Sequence, residues 1–141
     1  MTIVYAESSA VLAWLLGESV QDVVIRRLSA ADEVVTSALT AVECMRGLRR
    51  ARIDRRISAL QESAAARLLD DALAGWHVLD LTEDVLAAAR ETFPREPVRT
   101  LDALHIASAL VFYQALGALE VLSFNARVRA NAADLGMAVA P

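Results

Sequence analysis

Lysine is absent from this chain of 141 residues, and all 14 of its basic side chains are arginine. P-loop nucleotide binding needs a phosphate-contacting lysine, and Schiff-base catalysis needs a lysine amine, so both are excluded. Cysteine is nearly absent too. The single one, Cys44, cannot form an internal disulfide, and on its apolar stretch it reads as a buried core thiol. No long hydrophobic run occurs. Ala10 to Leu16 is too short for a bilayer span of about 20 residues and has no basic leader, so the chain reads as cytosolic, with no membrane partner. Internal repeats, low-complexity stretches and long linkers are missing, which leaves one domain over residues 1–141. What is abundant is apolar surface. At 56% hydrophobic residues and a mean hydropathy of +0.40, part of that surface is expected to close a homodimer.

Periodicity gives an alternating pattern of strands and helices. Ile3 to Ala6 reads as a first strand, followed by a helix over Ala10 to Leu16, with Ser8 or Ser9 as N-cap and Gly17 as the stop. Apolar spacing predicts a helix over Val20 to Leu28, then a strand over Glu33 to Thr36. Ser37 or Thr40 opens a helix to about Ala51. Another runs from near Asp54 to Leu73, with Ile57, Leu60, Ala64 and Leu68 on one face. His77 to Leu81 is a third strand, and Thr82 caps a helix over Asp84 to Thr92. After Pro94 and Pro97, Thr100 caps the helix that carries Asp102. Val121 to Phe124 is a fourth strand, a helix covers Ala126 to Leu135, and Met137 to Val139 can add a fifth strand. Alternation of this kind predicts an α/β fold with a mostly parallel sheet of four or five strands, covered on both faces.

In open parallel sheets, ligands bind beyond the carboxyl ends of the strands. Glu7 follows the first strand, Asn125 follows the fourth, and Asp102 stands in a first helical turn where the helix dipole favours an anion. These three can meet on one edge, and Glu43 joins them if its helix starts there. A carboxylate pocket without a thiol or histidine cluster suits a hard divalent cation, Mg²⁺ or Mn²⁺. Taken singly, each acid is an ordinary cap or dipole partner. Glu43 among apolar neighbours is the odd one, unless it pairs within its helix with Arg46 or an arginine one turn further on. His105, one turn after Asp102, reads as a satisfied core or supporting histidine rather than a ligand.

Four blocks carry a resemblance: VYAESSAVLAWL, TSALTAVECMRGLRR, VRTLDALHIASAL and VLSFNARVRANAADLGMAV. In their order and spacing over nearly the whole chain they resemble the PIN domain, and more closely the VapC-like toxins of VapBC toxin–antitoxin pairs. The resemblance implies a three-layer α/β/α sandwich and an endoribonuclease that hydrolyses RNA phosphodiesters to a 5′-phosphate and a 3′-hydroxyl. It implies Mg²⁺ or Mn²⁺ held by acids at the positions of Glu7, Glu43, Asp102 and Asn125. It also implies a VapB-like antitoxin as neutralising partner. Two positions depart from the family pattern. Glu7 stands where Asp is usual, keeping the carboxylate on a longer arm. Asn125 stands where a fourth acid is usual, keeping an oxygen acceptor without the charge, as a weak ligand or a water-positioning group.

Ser8, Ser9 and Ser123 can hydrogen-bond the acids or a substrate phosphate from a surrounding layer, or simply cap helices and strand ends. Arg46 to Arg56 holds six arginines in eleven residues on a chain of net charge −4. Arg46, Arg49 and Arg50 can contact RNA or an acidic antitoxin tail; otherwise the run is a solvated face neutralising Asp54, Glu62, Asp70 and Asp71. Trp14 and Leu15 beside Val23 and Val24 form either a groove for an antitoxin helix or part of the core. Two functions compete: an active metal-dependent ribonuclease, or a module weakened at Asn125 that binds antitoxin or RNA without efficient cleavage. A receiver-like phospho-acceptor is set aside, because it needs a lysine.

Overall fold

Alternation along the first strand sets the layers. Strand β1 (Ile3–Ala6) sends Ile3 and Tyr5 into one buried cluster with Ala103, Ile106, Val128 and Ala132, and Val4 and Ala6 into clusters on the opposite side. The computed structural model describes residues 1–141, in which β1 is followed by α1 (Ser8–Leu15), α2 (Gln21–Ala30), β2 (Glu33–Ser37), α3 (Ala38–Ile53) and α4 (Ala59–Gly75). Then come β3 (His77–Leu79), α5 (Glu83–Ala89), α6 (Thr100–Leu116), β4 (Glu120–Leu122), α7 (Ala126–Asp134) and β5 (Ala138–Ala140). The sheet has five strands in the order β3-β2-β1-β4-β5, and every neighbouring pair is parallel. Helices α1 to α4 pack on one another over the side of Val4 and Ala6, and α5 to α7 over the side of Tyr5. This is the three-layer sandwich expected from the sequence. No helix is long and apolar enough to cross a membrane.

Several boundaries differ from those expected, each for a local reason. Neither Ser8 nor Ser9 caps α1. Glu7 does, because its extended backbone (φ −81°, ψ 152°) lets its carboxylate accept from the Ser9 N–H. Thr100 is the first residue of α6 rather than its cap. The Arg99 carbonyl already accepts from the Ala103 N–H at 2.8 Å, so the turn starts one residue earlier. Helix α4 does not begin near Asp54, which instead closes α3; Arg55 then takes a left-handed φ of 59°, and a capping box between Ser58 and Gln61 opens α4.

The face of α4 is also rotated from expectation. Glu62, Ala65 and Leu69 point inward, while Leu60 is 76% and Leu68 49% exposed. Glu62 is drawn in by Arg49 at 3.4 Å and Arg52 at 3.7 Å, an ionic seam between α3 and α4. Val24 is fully buried while Trp14 is half-buried against Trp76, so the amino-terminal cluster is core on one side and open on the other. Gly47 sets the spacing between α1 and α3. A Cβ there would come within 2.6 Å of a Leu12 methyl, so its absence lets α3 lie close on α1 and brings Glu43, one turn earlier, beside Ser8.

Candidate active site

The connections out of β1 and β4 lead to opposite halves of the sheet, so the space beyond their carboxyl ends is a topological switch point. The chain delivers Glu7 there directly from β1. The segment after β4 delivers Ser123 and Asn125, and the first turn of α6 delivers Asp102.

One hydrogen-bonded chain links these groups. Glu7, 3% exposed, accepts at Oε2 from the Ser9 N–H at 3.1 Å, from the Ser9 hydroxyl, and from the Ser123 hydroxyl at 2.7 Å. Ser123 Oγ in turn accepts from the Asn125 N–H at 3.0 Å. Asn125 Nδ2 donates to Asp102 Oδ1 at 2.9 Å. The Asn125 Oδ1 atom is turned the other way and caps α7, accepting from the N–H groups of Arg127 and Val128 at 3.0 and 3.3 Å. Its amide therefore serves two structural partners at once.

A second group is anchored through Ser8, the residue after Glu7. Ser8 Oγ donates to Glu43 Oε1 at 2.9 Å, and His105 Nε2 lies 2.5 Å from the same oxygen. The other ring nitrogen, Nδ1, lies 2.8 Å from the Tyr5 hydroxyl. Glu43 does not pair with Arg46; its partner is the histidine, 62 positions away in sequence. Burial opposes ionisation of Glu43, but the hydrogen bond and charge of His105, with the Ser8 hydroxyl, outweigh it and hold the carboxyl below its ordinary value. Burial and the negative charge of Glu7 push the Tyr5 phenol well above its ordinary value. Burial first, then Glu43 and Glu7, push the Cys44 thiol up to about 12, so Cys44 is an inert core thiol as its apolar setting suggested.

The three carboxylates share a pattern. Glu7, Glu43 and Asp102 each place one oxygen against protein donors and leave the second without a protein partner. The donor set is all oxygen and formally triply negative, which fits a hard divalent cation. No three acidic or histidine side chains stand close enough together to enclose an ion without adjustment. Arg46, Arg49 and Arg50 follow Glu43 along α3, where with Gly47, Ile53 and Asp54 they line a surface hollow of about 520 Å³. Arg50 and Arg49 are engaged with Asp54 and Glu62, while Arg46 has no ion-pair partner.

From sequence, His105 is legible as a supporting histidine but its partner is not, and Tyr5 draws no notice. One signal was available for Tyr5: it stands two residues before Glu7, so strand period two carried one residue past β1 puts both on the same side.

The family model described as PIN domain matches residues 4–134. The chain therefore belongs to the PIN-domain family. Ribonuclease VapC46 of Mycobacterium tuberculosis is 36% identical over 139 residues, covering 99% of this chain and 97% of its own length, which puts the chain among the VapC-like homologues within that family. Solved structures agree on the fold. A toxin–antitoxin complex from Klebsiella pneumoniae aligns with a TM-score of 0.67 at 15% identity, covering 98% of this chain and 96% of its own. Mycobacterium tuberculosis VapC20, described as a Sarcin-Ricin loop cleaving toxin, aligns with a TM-score of 0.61 at 17% identity, covering 90% and 93%.

Proposed function

We propose that this chain is a Mg²⁺- or Mn²⁺-dependent endoribonuclease, the toxin of a VapBC-type pair acting in the cytoplasm and silenced by a cognate antitoxin. One observation supports the reading: Glu7 and Asp102, on the hydrogen-bonded chain beyond β1 and β4, and Glu43, held by the adjacent Ser8, each have one oxygen fixed by the protein and one left over. The free oxygens of Glu7, Asp102 and Glu43 would hold the cation. Bound there, a divalent ion supplies Lewis acidity and a lowered water pKa for phosphodiester hydrolysis. Mg²⁺ keeps several of its waters and takes only one or two carboxylates directly, which accords with acids that do not crowd together beforehand.

The protein's own part is positional. Ser9 and Ser123 fix one oxygen of Glu7, and the cap geometry of α7 fixes Asn125, which steers Asp102. In this reading Asn125 acts as a donor to Asp102 and lowers the negative charge available to a second ion. Arg46, with Arg49 and Arg50, offers positive potential for RNA phosphates or an acidic antitoxin segment. The exposed Val42, Ile53, Leu60 and Leu68 on α3 and α4 favour a homodimer.

The second reading, a binding module with a weakened site, is favoured by the commitment of both Asn125 amide atoms to other partners. RNA cleavage by antitoxin-free protein in Mg²⁺ or Mn²⁺ separates the two. Cutting that is lost in Asp102→Ala supports the enzyme. Cutting seen only in Asn125→Asp overturns it in favour of the module.

A further inference from the structure

A carboxylate that is to share a cation must offer the right oxygen in the right direction, and a glutamate has three side-chain torsions through which to lose it. On the middle of α3, Glu43 also has an alternative: Arg46 stands three residues on, unpaired, at a spacing that forms ion pairs on a helix surface. The structure shows Glu43 held away from that alternative. Its Oε1 is fixed by Ser8 and by His105, which is 1% exposed and hydrogen-bonded at both ring nitrogens. A carboxylate only accepts, so Nε2 carries the proton facing Glu43, while Nδ1 is hydrogen-bonded to the Tyr5 hydroxyl. Tyr5 is itself fully buried in β1, so the ring is set from the centre of the sheet. The relay runs β1 to α6 to α3 and ends on Glu43, which lies in the body of a helix rather than at a strand end or in a first helical turn.

We propose that His105, oriented by Tyr5, is the positioning residue for Glu43, holding one of its oxygens so that the other faces the space beside Glu7. The inference rests on the metal-site reading of the proposed function. His105 touches neither cation nor RNA in it; it acts only through Glu43. Partners of this kind, one shell behind a ligand, typically change metal affinity by about 10- to 100-fold when removed.

The test is Mn²⁺ affinity of the antitoxin-free full chain, followed by titration calorimetry and Mn²⁺ paramagnetic resonance, with thermal melting of each apo variant alongside. His105→Gln keeps an amide N–H close to where Nε2 stands, whereas His105→Asn is polar but too short to reach Glu43. The proposal expects Asn to weaken Mn²⁺ binding about 10-fold or more and Gln to restore most of it. It also expects His105→Asn to add little loss in a Glu43→Gln background, because the two act as one unit. Equal affinities in wild type and folded His105→Asn, with Asp102→Asn still abolishing binding, overturn the positioning role and leave the metal site standing. Additive losses in the double variant overturn it as well. Wild-type protein whose Mn²⁺ binding is indifferent to Asp102→Asn refutes the metal-site reading, and this inference with it. If the His105 variants do not fold, Tyr5→Phe carries the test, since it removes one oxygen and leaves the core filled. Weakened Mn²⁺ binding supports the relay, and unchanged binding overturns it.

Discussion

Replacing Asn125 by aspartate inverts one contact and spares another. The cap on α7 survives, since an aspartate oxygen accepts from the Arg127 and Val128 N–H groups as well as an amide oxygen does. The anion at a helix N-terminus even gains about 0.3–1 kcal/mol from the dipole. The donation to Asp102, now made at 2.9 Å, is lost and replaced by two facing carboxylates. At that separation two like charges repel by ~6 kcal/mol at an effective dielectric of 20 and by ~1.4 kcal/mol in bulk water. Asp102 is half-buried, so solvent screening puts the result nearer the lower figure. We expect the apo variant to be less stable than wild type by about 1–2 kcal/mol in urea titrations with EDTA. A divalent cation should reverse the order, because the added charge raises its affinity, and each tenfold gain in affinity adds about 1.4 kcal/mol of stability in excess ion. Equal stability in EDTA, together with an equal response to Mn²⁺, would refute the reasoning, since the Asn125–Asp102 contact would then be energetically idle.

Buried groups give further expectations. Cys44, with its thiol pushed up to about 12 behind a closed core, should resist iodoacetamide at pH 8 in native protein and react readily in urea; rapid native alkylation would contradict the packing of α3 on α1. The Glu43 carboxyl sits below its ordinary value in the folded state, so its ionised form contributes stability that is present above the unfolded value of 4.5 and lost as pH falls through the folded one. Urea midpoints from pH 6 downward should therefore fall less steeply in Glu43→Gln than in wild type over roughly the pH 5 to 3 window. Parallel slopes would show that the His105 and Ser8 contacts do not favour the carboxylate.

The layers of the fold are legible in the sequence because strand alternation is local: Ile3, Val4, Tyr5 and Ala6 already state which side chains share a face. The gathering of Glu7, Asp102 and Asn125 is legible too, since strand ends and helix starts in a parallel sheet lie on predictable edges. Periodicity fails where it meets surface chemistry. Leu60 and Leu68 are spaced like a core face, yet α4 turns Ala65 and Leu69 inward, with Leu73 and Trp76 packed beside Leu69, and Glu62 on that same face is met by Arg49 and Arg52. The caps of α1 and α6 differ from expectation by one residue, within the ordinary ambiguity of where a first turn starts. The pairing of Glu43 with His105 is a tertiary fact between α3 and α6, and sequence spacing offers only the helical neighbour Arg46 in its place.

Whether Glu7, Glu43 and Asp102 serve one cation at the switch point between β1 and β4 is tested most directly by anomalous diffraction from crystals of the full chain grown with Mn²⁺. We predict a manganese peak beyond the carboxyl ends of β1 and β4, with the second oxygens of at least Glu7 and Asp102 on it, directly or through a bound water. A peak held by other residues, in protein that cleaves RNA under the same conditions, would contradict it.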